Sequence, residues 1–410
     1  MKNWKQILSL LLSLALIVSL CACSAEDSGG TESPSASPDA SAGDSSENPD
    51  ASLDPDVEAT PEIEVDLDQD ATTFSAGISP DEELLTVNGT PVNADMALYW
   101  LGMSCSNFMS QYGYFGLSLA DVIDEEGATF GDQMRDSAVT IGAYNILIQK
   151  KAAELGCLPT DEQIAEAKER MMAEGEENYE MMKTAFGLTD ETMEYLYLSN
   201  SYYENVLDVV VPTATDEMLN NYAYQAKHIL LKTIDDSQQP LSDEEIAKKK
   251  KQAEDFLAQL QAAEDLEAKF DELMNEYSED GRNEDGALAA PDGYTAVLGD
   301  MVPEFEAGAL ALKPGEISGL VETSYGYHII LRGEVEDIQS YADECREYHL
   351  DDELEAMLDE TEIVRSAALD ELDVADFFNR YSAYQNAVFA KYQPEDSGDD
   401  LGPVSSDGVG

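Results

Sequence analysis

Two short apolar runs, each holding a histidine, bracket the stretch from Ala226 to Glu334 and limit what this chain can fold into. In the first, Ala226-Lys227-His228-Ile229-Leu230-Leu231-Lys232, alternation places His228, Leu230 and Lys232 on one face of a strand. The last, Tyr327 to Gly333, holds His328 and reads as another strand, with a further one expected over Ile317 to Glu322. Three helical patterns lie between. One starts at the capping box Ser242-Asp243-Glu244-Glu245 and runs to about Ala262, one covers Leu266 to Tyr277, and a short one covers Pro303 to Leu312 before Lys313-Pro314-Gly315. Strand, helices, strand, strand, with both histidines on the sheet, describes a small α+β domain.

The 410 residues leave room for other domains, and 43% hydrophobic content suffices for real cores. A net charge of -64 makes nucleic acid an unexpected partner, because phosphate binding needs clustered Lys and Arg. Residues 1–22 read as an export signal, with Lys2 and Lys5 ahead of an apolar run from Ile7 to Leu20. That run is short for a lasting membrane span of about 20 residues. From 23 to 82 the chain is rich in Ser, Ala, Pro, Asp and Glu, and no Lys or Arg occurs between Lys5 and Arg135. Such a segment has too little apolar side chain to offset its ordering entropy, so an acidic disordered tether is expected.

Residues 83–225 read as a mostly helical body. Leu84 to Val92 predicts two short strands around Asn88-Gly89, Asn93 can cap a following helix, and Thr160-Asp161-Glu162-Gln163 is another capping box. Its Met171, Met172, Met181, Met182, Phe186, Tyr195, Tyr197, Tyr202 and Tyr203 suit either a core or a groove for varied apolar segments. Residues 336–392 are again helical and are expected to pack back on that body, with 393–410 a loose tail.

Lys227-His228-Ile229-Leu230, Ser278-Glu279-Asp280, Met301-Val302-Pro303-Glu304-Phe305-Glu306, Ala311 to Gly319 (ALKPGEISG) and Tyr325 to Ile330 (YGYHII) occur in one order over about 110 residues. In this combination the stretch, taken as 226–335, resembles the parvulin family of peptidyl-prolyl cis/trans isomerases. Leu20-Cys21-Ala22-Cys23 resembles a bacterial lipobox, which implies diacylglycerol on Cys23; an ordinary secretory signal without lipid is the plain alternative. With the order of its parts, the whole chain resembles the PrsA-type foldase lipoproteins, with a SurA-like helical N-terminal region. The fold implied is α+β, a parvulin domain inserted in a helical chaperone-like body and preceded by the tether.

The resemblance assigns roles residue by residue. Met301 and Phe305 match the pocket that holds the proline ring, and their i, i+4 spacing puts them on one helix face if the short helix starts early enough. His228 and His328 match the histidine pair of adjacent strands, and Thr323 matches the threonine bonded into their network. Asp280 falls where the family carries Cys or Asp near the substrate amide. Tyr325 stands in place of the family's usual serine, and Tyr294 supplies an apolar wall in a region, Glu284 to Tyr294, that departs from the family's GDLG pattern. Ile234 to Gln239 lacks the basic residues of phosphate-directed parvulins.

No cofactor or metal is expected, since His349 is the only other histidine and Cys105, Cys157 and Cys345 are scattered. The implied partners are unfolded or partly folded exported proteins and, through Cys23, the extracytoplasmic face of the bacterial membrane; a homodimer stays open. The alternative function is an ATP-independent holdase with little isomerase activity. A solute-binding lipoprotein fits the signal and tether but not the histidine stretch.

Overall fold

The computed structural model describes residues 63–392 except 236, 284 and 285. The signal, the lipobox with Cys23, the tether through 62 and the tail 393–410 lie outside the described residues. The described chain divides into two compact units, one of 63–146, 159–200 and 361–392, the other of 147–158 and 201–360.

The first unit begins earlier than composition suggests. Within the expected tether, Ala71–Ala76 is a helix capped by Asp70, whose carboxylate accepts the Thr73 N–H at 2.8 Å. Phe74 is its one large anchor, with its ring 5.5 Å from that of Tyr384, while Ala71, Thr72 and Ser75 are buried by close approach. Composition misses such a helix because small residues pack tightly while adding little apolar content. β1 (Glu83–Val87) and β2 (Thr90–Asn93) form the expected hairpin, with Asn88 and Gly89 both at positive φ. The helix Ala94–Tyr112 follows; Asn93 precedes it without a side-chain cap. The box from Thr160 to Gln163 is formed in full. Met171, Met182, Phe186 and Tyr197 pack partly buried around Tyr179, Leu188 and Met193, which makes them core, whereas Met172 is exposed.

The second unit holds an antiparallel sheet of β3 (Ala223–Lys232), β4 (Tyr294–Val297), β5 (Val321–Thr323) and β6 (Gly326–Gly333), in the order β4-β3-β6-β5. β4 is an addition to the three expected strands, and four residues are too few for alternation to mark it. It is delivered by Gly293, at φ +81, where a Cβ would lie 2.4 Å from the Ala226 carbonyl oxygen. The expected 317–322 strand starts instead as a single bridge, Ile317 to Leu331, and becomes regular only at Val321.

Both faces of the central strands are covered. Ile229, Leu231, Tyr327, Ile329 and Leu331 pack with Phe256 and Leu260 of helix Asp243–Gln261 and Phe270 and Leu273 of helix Leu266–Tyr277. On the other face Tyr224, Ala226 and Ile330 pack with Phe305 and Ala309 of helix Pro303–Leu310. This double cover is why 329–331 is an unbroken Ile-Ile-Leu run. Each such large side chain, fully buried, contributes about 1.5–3 kcal/mol.

The segment 336–392, expected to pack on 83–225, contributes to both units, and 83–225 is itself divided between them. Helix Ala342–Asp359 stays in the sheet's unit, where Arg346 donates to the Val211 carbonyl at 2.7 Å and pairs with Asp208 at 2.6 Å. β7 (Ile363–Arg365) instead pairs antiparallel with β1, making a second sheet ordered β2-β1-β7, and helix Val374–Tyr392 buries Phe377, Tyr381, Tyr384 and Val388 in the first unit. Helical periodicity continues on both sides of this break, so it gives no sign of a change in packing partner. Among the described residues, no helix is long and apolar enough to cross a membrane, and Cys105, Cys157 and Cys345 are unpaired.

Candidate active site

The site is built on one edge of β3. β4 covers that edge only from Ala223 to Ala226. Beyond it, Ser278 and Glu279 take over the open backbone groups: Leu230 N–H donates to Ser278 Oγ at 3.1 Å, Glu279 N–H to the Leu230 carbonyl at 2.8 Å, and Lys232 N–H to Glu279 Oε2 at 2.8 Å. Lys249 pairs with the same Glu279 carboxylate. The next residue, Asp280, is thereby set beside His228, with its Oδ2 3.1 Å from Nε2. The two side chains thus form a close electrostatic contact. Tyr294, at the start of β4, donates its hydroxyl to Asp280 Oδ2 at 2.6 Å.

The register of β3 and β6 sets His228 opposite Ile330 and Leu230 opposite His328. The histidines are therefore diagonal neighbours on one face, with ring centroids 5.2 Å apart. The Phe305 ring is T-shaped to both, its centroid 5.1 Å from that of His228 and 5.4 Å from that of His328. On the far side β5 brings Thr323, whose hydroxyl shares a hydrogen bond of 2.8 Å with His328 Nε2 and accepts the Tyr325 N–H at 3.1 Å. Gly326 makes this hairpin possible: at φ +149, any Cβ would meet the Leu231 carbonyl oxygen at 2.2 Å.

Burial alone would raise the Asp280 pKa, but His228, Tyr294 and the Gly281 N–H outweigh it and hold the carboxyl well below the usual range. Burial, reinforced by Asp280, pushes the Tyr294 hydroxyl up to about 12. Burial foremost, then the charge of His228, lowers His328 to about 3. At neutral pH the site therefore pairs an ionised carboxylate with a neutral His328 imidazole. Nδ1 of each histidine is buried without a hydrogen-bond partner among the described residues. No group of three or more His, Cys, Asp and Glu side chains, among the described residues, is placed to hold a metal ion. The arrangement can seat an apolar ring and offer polar groups to an amide.

Of the residues singled out from sequence, His228, His328, Asp280, Thr323, Tyr294 and Phe305 converge here. Met301 packs against the same cluster as Phe305 but precedes their expected helix, which begins at Pro303 with Val302 as its cap, so the two do not share a helix face. Tyr325 joins through its backbone N–H, and its side chain is 46% exposed. Tyr294 is more than a wall, since its hydroxyl reaches Asp280. Sequence reasoning gave no role to Ser278, Glu279 or Ser318. Ser318 Oγ accepts the Ile330 N–H at 2.9 Å on the outer edge of β6, as Ser278 serves β3. The signal was a serine inside each quoted motif, but only strand register shows which backbone groups it meets.

Residues 228–334, which hold most of the histidine sheet, match the Rotamase family, described as the PPIC-type PPIASE domain. The chain is 32% identical to the foldase protein PrsA of Caldanaerobacter subterraneus over 50% of this chain and 59% of that protein. It is 28% identical to the foldase protein PrsA of Staphylococcus epidermidis over 55% of this chain and 65% of that protein. The chain thus spans somewhat under two thirds of the length of these curated relatives. The peptidylprolyl isomerase PrsA from Bacillus cereus is a similar solved structure, at 20% identity over 69% of this chain and 96% of that one, with a TM-score of 0.31.

Proposed function

We propose that the histidine sheet is a peptidyl-prolyl cis/trans isomerase site and that the whole chain is a foldase for exported proteins. The observation carrying this reading is the juxtaposition of Phe305, both imidazoles and the Asp280 carboxylate on one face of β3 and β6. Rotation about a peptide bond meets a barrier of about 18–20 kcal/mol because the planar amide loses resonance, and no covalent bond is made or broken. A catalyst therefore needs selective binding of the twisted amide rather than a nucleophile. In this reading Met301 and Phe305 hold the proline ring by apolar contact. Asp280, set by Tyr294 and His228, supplies the fixed charge beside the amide, while Thr323 and His328 hold the sheet's polar network.

The PPIC-type match at 228–334 and the PrsA relatives support the isomerase and foldase readings. The export signal and lipobox support anchoring through Cys23 to the extracytoplasmic face of the membrane. A protease-coupled assay on a short Ala-Pro peptide tests the site. Turnover is expected in the wild type, with a loss of about tenfold in Met301→Ala; absent wild-type turnover with retained suppression of client aggregation would leave the holdase alone. Incorporation of labelled fatty acid, expected in the wild type and lost in Cys23→Ala, tests the anchor.

A further inference from the structure

The site leaves unexplained the most exposed apolar surface of the described chain. Among the described residues fourteen large hydrophobic side chains stand exposed, and five of them cluster here: Tyr112 at the end of helix Ala94–Tyr112, and Tyr114, Phe115, Val122 and Ile123 in the segment that follows it. Tyr114 is 93% exposed, Phe115 75% and Val122 63%. Such a concentration marks an interaction surface rather than scattered surface residues. The loop is held in shape from beneath. Phe108 packs its ring 5.3 Å from Tyr112 and 4.7 Å from Phe130, Leu119 is buried, and the Ile123 N–H donates to the Ala128 carbonyl at 2.8 Å.

Its charge is of one sign. Asp121, Asp124, Glu125 and Glu126 flank Val122 and Ile123, and the chain has no Lys or Arg between Lys5 and Arg135. A second copy of the loop would bring the same carboxylates, and anionic lipid or the chain's own acidic tether would meet like charge. We propose that this loop docks extended segments of client polypeptide that carry aromatic or aliphatic residues beside Lys or Arg. The partner's apolar groups cover Tyr114, Phe115, Val122 and Ile123, and its cations meet the flanking carboxylates. This rests on the foldase reading but not on the isomerase site.

The test uses the full chain and two fluorescent, proline-free, unstructured peptides with the same apolar residues, one containing Lys and the other Glu at the intervening positions. The wild type is expected to bind the Lys peptide about fivefold or more tighter than the Glu peptide. Tyr114→Ser with Phe115→Ser should weaken binding about tenfold, and Glu125→Lys with Glu126→Lys should abolish or reverse the charge preference. Isomerisation of the short Ala-Pro peptide should not change in either variant, which separates failure of this surface from failure of the isomerase reading. Binding indifferent to both variants overturns the proposal. So does a loop whose aromatic variant loses only phosphatidylcholine-vesicle binding or only self-association.

Discussion

The histidine sheet and the Tyr112–Ile123 loop are both rich in aromatic side chains, but they present them in opposite ways. In the sheet, Phe305 is 3% exposed and is ringed by His228, His328 and the strands beneath. In the loop, Tyr114 and Phe115 stand in solvent with their rings 5.7 Å apart. A buried ring fixes geometry, so the sheet suits selective stabilisation of one strained amide. An exposed ring fixes little and loses water on contact, which suits loose capture of many sequences.

Phe305→Ala should part the two regions most sharply. It empties the wedge between the imidazoles and should cost about 3–5 kcal/mol of stability in urea unfolding, with loss of isomerase turnover. A change under about 1 kcal/mol would mean that the ring is not the keystone of that face.

pH is the next lever. His328 binds its proton at about 3 when folded and near 6.5 when unfolded, so between those values the unfolded chain holds the extra proton. Its contribution is complete above about 6.5 and is lost as pH falls toward 3, at most about 1.4 kcal/mol per pH unit. Urea midpoints of wild type and His328→Gln, compared from about pH 7 to pH 5, should converge as the pH falls. Parallel curves would contradict a buried neutral imidazole.

Tyr294→Phe keeps the ring and removes the hydroxyl bonded to Asp280. It should lower kcat/KM about tenfold, equal to about 1.4 kcal/mol, with little change in fold by circular dichroism. An unchanged kcat/KM would reduce Tyr294 to an apolar wall. In the loop, by contrast, Tyr114→Ser should alter stability by less than about 0.5 kcal/mol, read by thermal unfolding.

The sheet was far more legible in sequence than the rest because its signals are local and carry register. His228 and His328 sit in apolar runs, Gly326 opens its strand, and the box Ser242 to Glu245 caps its helix as expected. The misses share a cause. β7 is three residues long and pairs with β1 across more than 270 residues, a contact that no local pattern can encode. The helix Ala71–Ala76 is held by small residues within a polar composition. At the site, the condition for Met301 and Phe305 to share a helix face is not met, because a proline at the first helical position starts the helix after Met301. Tyr294's bond to Asp280 depends on β4 meeting a loop from 14 residues earlier, which spacing alone does not reveal.

In the proposed mechanism Met301, Phe305 and Asp280 form a pocket that selects the twisted amide. Exchange NMR on a short Ala-Pro peptide with a catalytic amount of the chain measures this directly, since it reads cis and trans interconversion without a coupled protease. Exchange cross-peaks are expected in the wild type, weakened about tenfold in Met301→Ala and further in Asp280→Ala. Exchange absent in the wild type, or undiminished in both variants, would contradict it.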